Sequence, residues 1–241
     1  MAVQAAQPPA TRLEAASPTR SVLTEVARFS RRNTLSALGG VVGMLIIVVA
    51  LAAPLLAPYD PLKADFRHMN KPPNAEHLLG TDQVGRDTLS RVIYGSRTSL
   101  FVAFSAVILG TTVGSLWGVA CGYLRGRFDL VSQRIMVFHV LPQCLAPYLV
   151  LATAHLGAAI VIEAALGFLG VGVPPPTPTW GNMLADSITA LVPPWWLAFF
   201  PGLAITVTVL AFNLLGDGIR DTLDPRLSPA FLRMMAGGRR G

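Results

Sequence analysis

Four apolar runs set the order of this chain. The first extends from Leu35 to about Ala57, carries no charge and ends at Pro54 and Pro58. About 20 apolar residues in a helix suffice to cross a bilayer. The second run is Thr98 to Leu124, the third Ala146 to Gly170, and the fourth Leu197 to Leu215. Each predicts a transmembrane helix. The fold class is therefore all-α: a polytopic helical bundle of about four spans. In the second run Gly110, Gly114, Gly118 and Gly122 recur every four residues. That spacing lays a flat stripe along one helix face and lets another helix approach closely.

The segments between the runs differ in character. Residues 1–32 form a basic N-terminal region: Met1 to Arg20 shows no apolar period and reads as disordered, and Val22 to Arg32 reads as a short interfacial helix. Tyr59 to Glu76 is polar and proline-punctuated, and reads as an extended loop. His77 to Leu100 begins with the turn formers Gly80, Asp82 and Gly85. After Asp87 its apolar residues fall at helical spacing. Taken alone, its physics describes a turn and a surface helix at the lipid headgroups, leading into the second span. Val137 to Pro147 is ambiguous, because Pro142 and Pro147 interrupt a helical pattern. Val171 to Trp196 holds Pro174, Pro175, Pro176 and Pro178, then Trp180; it has no Lys or Arg, and Asp186 is its one formal charge. Residues 33–227 make up the membrane domain, and 228–241 a basic tail.

Composition supports a membrane protein. The 241 residues are 52% apolar and 13% charged, where soluble domains carry about 25% charged residues. A net charge of +6 in a soluble protein would suggest nucleic acid. Here the basic residues flank apolar runs, so membrane topology explains them and no nucleic-acid partner is called for. The N-terminus, the turn Arg125–Arg134 and the tail are basic, and the segment between spans three and four is not. This alternation places both termini in the cytoplasm. The loop Pro58–Arg97 fits less well, with six basic residues facing outward, but it is long, where the rule weakens.

Catalytic chemistry is sparse. Lys63 precedes alanine and Lys71 precedes proline, so there is no phosphate-binding loop ending in Lys and Ser or Thr. No zinc-protease His pair and no nucleophile elbow occur. The sequence points to no enzyme, cofactor or metal. His139 and His155 form at most a weak metal pair, and Cys121 and Cys144 read as small buried hydrophobes. Glu163 is the one carboxylate inside a span. An intramembrane charge is a functional candidate; a structural hydrogen bond, or a protonated side chain, is the equal alternative.

Three stretches are similar to a known family. They are H-L-L-G-T-D-Q-V-G-R-D-T-L-S-R at 77–91, E-A-A-L-G-F-L-G-V-G-V-P-P-P-T-P-T-W-G-N-M-L at 163–184, and A-F-F-P-G-L-A-I-T-V-T-V-L-A-F-N-L-L-G-D-G-I-R-D-T-L-D-P-R-L at 198–227. They resemble the C-type membrane permease subunit of bacterial ABC importers for dipeptides, oligopeptides or nickel. The resemblance implies a multi-pass inner-membrane subunit on the translocation path, with peptides the default substrate. Its implied partners are a homologous B-type permease, two cytoplasmic ATPase subunits and an extracytoplasmic substrate-binding protein. By the same resemblance Gly80, Asp82, Gly85, Arg86 and Asp87 belong to the family's entry motif. Pro176, Trp180, Gly181 and Asn182 lie in an extracytoplasmic loop, and Asp217, Arg220 and Asp221 at a cytoplasmic end.

The sequence departs from the family in one large respect. Members usually have six spans, with a cytoplasmic coupling loop between the fourth and fifth that docks into the ATPase. Residues 133–136 resemble the start of the third family span, and 137–147 resemble the segment just after the coupling loop. The intervening two spans and loop have no counterpart, which places a junction at Met136–Val137. A chain acting as written is expected to be impaired in coupled transport, or to be a remnant or membrane scaffold.

Overall fold

A computed structural model describes residues 34–124, 141–189 and 194–223. The N-terminal region with its interfacial helix, the turn at 125–134, the Met136–Val137 junction, His139 and the basic tail lie outside the described residues, as do the side chains of Cys121 and Cys144. Within them the chain forms α1 (Thr34–Leu51), α2 (Ala53–Leu56), a 3-10 turn (Phe66–His68), α3 (Thr88–Leu124), α4 (Leu141–Phe168), α5 (Trp180–Ile188) and α6 (Trp195–Leu223). Four of these helices, α1, α3, α4 and α6, are long and apolar enough to cross a membrane. The four spans expected from the apolar runs are thus present.

Two boundaries differ from the sequence reading. The second span does not begin at Thr98: α3 is one uninterrupted helix of 37 residues from Thr88. The surface helix and the span are the same element. Nor do Pro142 and Pro147 break the third span, since α4 starts at Leu141 and runs through both. Pro142 falls in the first turn, where a helical N–H has no intrahelical acceptor to lose.

The bundle is built around α6, which packs on α1 and on α4, while α4 also packs on α3. The α1–α6 contact is close because Gly39 has no side chain. A Cβ there would stand 2.6 Å from Leu214 Cβ and 2.7 Å from the Ala211 carbonyl oxygen. The buried core joins Ala50 of α1, Leu100, Ala103 and Val107 of α3, Leu156 and Ile160 of α4, Trp180 of α5 and Phe212 of α6. Phe104 and Phe212 meet edge to face at 5.6 Å, a geometry favoured by the ring quadrupoles.

The far half of α3 is different. From Ile108 to Ala120 every residue except Thr111 is exposed. The glycine stripe expected to receive a helix has no neighbour among the described residues: a Cβ at Gly110, Gly114 or Gly118 would meet nothing within 4 Å. Beside the stripe, α3 and α4 enclose an open groove of about 570 Å³ lined by Gly110, Gly114, Ser115, Tyr148 and His155.

Candidate functional site

The polar residues of the chain converge at the N-terminal end of α3. The turn before it is fixed by backbone geometry. Gly80 and Gly85 both have positive φ, 75° and 80°, a region costly for residues with a Cβ. Space is equally restrictive, because a Cβ on Gly80 would lie 2.7 Å from the Lys71 carbonyl oxygen and one on Gly85 would collide with the Asp65 carbonyl. A Gly85→Ala variant is expected to lose about 1–3 kcal/mol from backbone strain and to displace the Asp65–His68 turn. Thermal melting in nanodiscs checks the first effect, and protease sensitivity near Arg67 the second. An unchanged melting temperature would contradict it.

Asp82 folds the turn on itself. Its Oδ1 accepts from the backbone N–H of Val84 at 3.0 Å and of Arg86 at 2.8 Å. Its Oδ2 accepts from Arg86 Nε at 2.6 Å and from Arg91 Nη1 at 2.5 Å. Arg91 then reaches across to α5, where its Nη2 donates to Asp186 Oδ2 at 3.0 Å, and Arg86 Nη2 approaches the same oxygen at 3.5 Å. Two arginines and two aspartates form one closed ionic cage. Asp82 and Arg91 are buried, at 2% and 3% exposure. Gln83 adds a second tie to α5, through the Asp186 carbonyl and the Thr189 hydroxyl.

A second cluster sits beside the first. Asp87 Oδ1 pairs with His77 Nδ1 at 2.9 Å. Its Oδ2 accepts from the N–H and hydroxyl of Ser90, at 2.8 and 2.7 Å, which caps the start of α3 and places a carboxylate at the positive end of the helix. Ser90 Oγ in turn accepts from the Tyr59 N–H at 3.1 Å, which draws the Tyr59–Glu76 loop onto α3. The His77 ring lies 5.0 Å from Tyr59 and 5.6 Å from His68. His68 is held by Asp65 at 3.0 Å. The Arg67 backbone N–H, bonded to the Asp65 carboxylate, holds that carboxyl below its usual range.

These contacts correct the lipid-surface reading of His77–Leu100. Ser90, Arg91, Ser96 and Ser99 are all buried in protein. A helix lying at headgroups would present its charges to water. Here Arg91 turns inward, to carboxylates supplied by its own turn and by a distant helix.

The segment after the proline run is likewise not all loop. Pro176 is exposed, but Trp180, Gly181 and Asn182 form the first turn of α5 and are buried. Thr179 caps this helix: its hydroxyl accepts from the Asn182 N–H at 3.1 Å and its own N–H donates to Asn182 Oδ1 at 2.9 Å. This reciprocal capping box starts a helix immediately after residues that cannot join one. Trp180 donates from Nε1 to the Val92 carbonyl at 3.0 Å and from its backbone N–H to Ser99 Oγ at 3.2 Å. Gly181 lies so close to α4 that a Cβ would stand 2.5 Å from the Ala164 carbonyl oxygen.

Glu163 sits within the same junction. It is 7% exposed, and its carboxyl lies beside the Ser99 hydroxyl that receives the Trp180 N–H. Its Oε2 has no partner among the described residues. Glu163→Gln keeps a hydrogen-bonding oxygen and should hold stability within about 1 kcal/mol, whereas Glu163→Ala, which removes the carboxyl beside Ser99 and opens a space, should cost about 1–3 kcal/mol. Melting of both variants in nanodiscs decides this, and equal behaviour of the two would deny the carboxyl a structural role. At the far end of α6, Asp217, Arg220 and Asp221 are exposed and enter no ion pair among the described residues.

Asp186 is the functional-site residue that motif reading passed over. Its signal was its isolation: a single acid in a segment without Lys or Arg, and so without a local partner.

The geometry is matched by kinship. Residues 129–229 match the family model described as a binding-protein-dependent transport system inner membrane component. Residues 21–73 match the N-terminal TM domain of oligopeptide transport permease C. The di/tripeptide transport system permease protein DppC of Pseudomonas aeruginosa is 36% identical over 270 residues, covering 80% of this chain and 89% of that one. The chain belongs to this permease family. The dipeptide transport system permease protein DppC of Escherichia coli K12 is 33% identical over 280 residues, covering 85% of the permease and 93% of the relative. A putative peptide transport system permease protein of Brucella abortus is 31% identical, covering 89% and 98%. The permease is accordingly an inner-membrane component of a binding-protein-dependent ABC importer. The Pseudomonas alignment is 270 positions long yet uses only 80% of the 241 residues. About 75 aligned positions therefore lack a counterpart in this chain.

Proposed function

We propose that this chain is a permease subunit for di- and oligopeptides that lacks the pair of spans carrying the ATPase-coupling loop. The relatives' names supply the peptide reading. The observation that carries the shortened reading is the far half of α3, exposed on all sides from Ile108 to Ala120 apart from Thr111. Its glycines at 110, 114 and 118 form a surface suited to close helix packing, with no helix on it among the described residues. Two spans inserted near Met136–Val137 would follow α3 directly and lie within reach of this face. Loss of an even number of crossings leaves the sidedness of both ends unchanged. The termini then lie in the cytoplasm, with Asp217, Arg220 and Asp221 near them, and the ionic cage lies on the outer side.

The partners are a homologous B-type permease, two cytoplasmic ATPases and an extracytoplasmic binding protein. In this chain no segment remains to receive the ATPase stroke. When it is co-produced with those partners in cells lacking peptide uptake, labelled dialanine uptake is expected to stay at background. Restoring two spans and a loop between Met136 and Val137 is expected to bring uptake back. Substrate-stimulated ATP hydrolysis and uptake by the 241-residue form would refute the shortened reading. Failure of the repaired chain with peptides, together with uptake of nickel, would transfer the permease to the other substrate class.

A further inference from the structure

At the cage end of α3, on the side facing α2, lies a pocket of about 550 Å³. This is within the size range of small-ligand sites, about 300–1,000 Å³. One wall is a single face of α3, since Tyr94, Arg97 and Thr98 stand one turn apart. The opposite wall is Tyr59 and Asp60 with their flanking prolines, and Thr177 closes a third side. Two side chains of opposite charge, Arg97 and Asp60, line this space. Neither Arg97 nor Asp60 belongs to any ion pair among the described residues, although four ion pairs form around Asp82 and Asp186 just beyond.

The walls are fixed before anything binds. Tyr59 is tied by its N–H to Ser90 Oγ and by its hydroxyl to the Glu76 carbonyl, each at 3.1 Å. Asp60 Oδ1 accepts from the Leu62 N–H at 2.9 Å, which orients the carboxylate. Pro54, Pro58, Pro61 and Pro178 stiffen the remainder. A site held open in this way spends little ordering entropy on binding.

We propose that this pocket is an entry site for a short zwitterionic peptide, with Arg97 receiving the free C-terminal carboxylate and Asp60 the free N-terminal ammonium. Two extended residues span about 7 Å, so the proposal requires the Arg97 and Asp60 head groups to stand about that far apart across the pocket, with the peptide side chains against Tyr59 and Tyr94. This assignment rests on the peptide-permease reading above and on its placement of this end of α3 outside the cell.

The test is saturation-transfer NMR on the full chain in nanodiscs, with L-alanyl-L-alanine, its N-acetyl form and its C-terminal amide as probes. Free dialanine is expected to give a saturable signal absent from empty nanodiscs, and capping either end should weaken it about three- to tenfold, the range of charge-assisted contacts at a partly open site. Arg97→Gln should abolish discrimination against the amide and keep it against the N-acetyl form. Asp60→Asn should do the reverse. No saturable signal, or discrimination indifferent to both variants, overturns the site. So does a result in which the variants weaken capture of an extracytoplasmic binding protein by the assembled complex while dialanine binds as before, since that makes the pocket a protein-docking surface. The permease reading is judged apart from this, by uptake through the repaired chain. Uptake with an unchanged KM in both variants would remove the pocket and leave that reading standing.

Discussion

Arg91→Ala is expected to destabilise the folded bundle by about 3 kcal/mol, mainly the cost of removing a partner of the buried Asp82, since Asp186 is 40% exposed and adds less. The guanidinium is 3% exposed and bridges Asp82 at 2.5 Å and Asp186 at 3.0 Å. Removing it leaves Asp186 with only the 3.5 Å approach of Arg86, and Asp82 with Arg86 alone. Arg91→Lys should recover little, since one ammonium cannot present two parallel donors to two carboxylates. The measurement is reversible unfolding in nanodiscs, with a double-mutant cycle against Asp186→Asn. If Arg91 acts mainly by holding α5, the two losses will fall short of additive by about 1–3 kcal/mol. A loss below about 1 kcal/mol, the value of a solvated pair, would mean that the cage is not closed. Because the Arg91–Asp82 pair is buried, raising salt should change its share little, while the half-open Asp186 arm should weaken.

Trp180→Ala should rank beside it, at about 3–5 kcal/mol for deletion of a large buried aromatic side chain. Trp180 is 1% exposed and belongs to the core shared by α1, α3, α4 and α6. It also donates to the Val92 carbonyl at 3.0 Å. Trp180→Phe separates the two contributions, because it retains most of the packing and deletes the indole donor, worth about 1 kcal/mol. Gly95 offers independent evidence of the fit: a Cβ there would stand 3.1 Å from Trp180 Cδ1. Melting temperatures of the two variants should therefore differ clearly. Equal losses would assign the whole effect to the hydrogen bond.

The spans were legible because lipid imposes a simple rule on composition: uninterrupted apolar length is almost the whole signal. The turn at Gly80–Gly85 was legible for a similar reason, since glycine and aspartate mark backbone shapes that few other residues tolerate. The direction in which Arg91 points was not legible. Helical spacing states which residues share a face, but not what that face meets, and its partner Asp186 lies 95 positions away. Proline misled in two ways. At Pro142 a breaker residue sits where a helix can begin. At Pro174–Pro178 a run of breakers hid the helix that starts two residues later at Trp180, where Thr179 and Asn182 supply the caps. Glu163 was visible as an anomaly, but its link through Ser99 to Trp180 joins three separate segments and has no trace in local pattern.

The length of α3 has a mechanical consequence. Its 37 residues make a rod about 55 Å long, while the hydrocarbon it crosses is about 30 Å thick. The helix outruns the hydrocarbon by about 25 Å, and its first turns, Thr88 to Thr98, about 15 Å of rod, carry Arg91 of the cage and the Tyr94, Arg97 and Thr98 wall of the pocket. A tilt of about ten degrees in the membrane would swing the tip of this arm of about 15 Å by about 2.5 Å. Motion of the membrane-crossing part of α3 is thereby geared directly to the cage and the pocket, with no break in the helix between them.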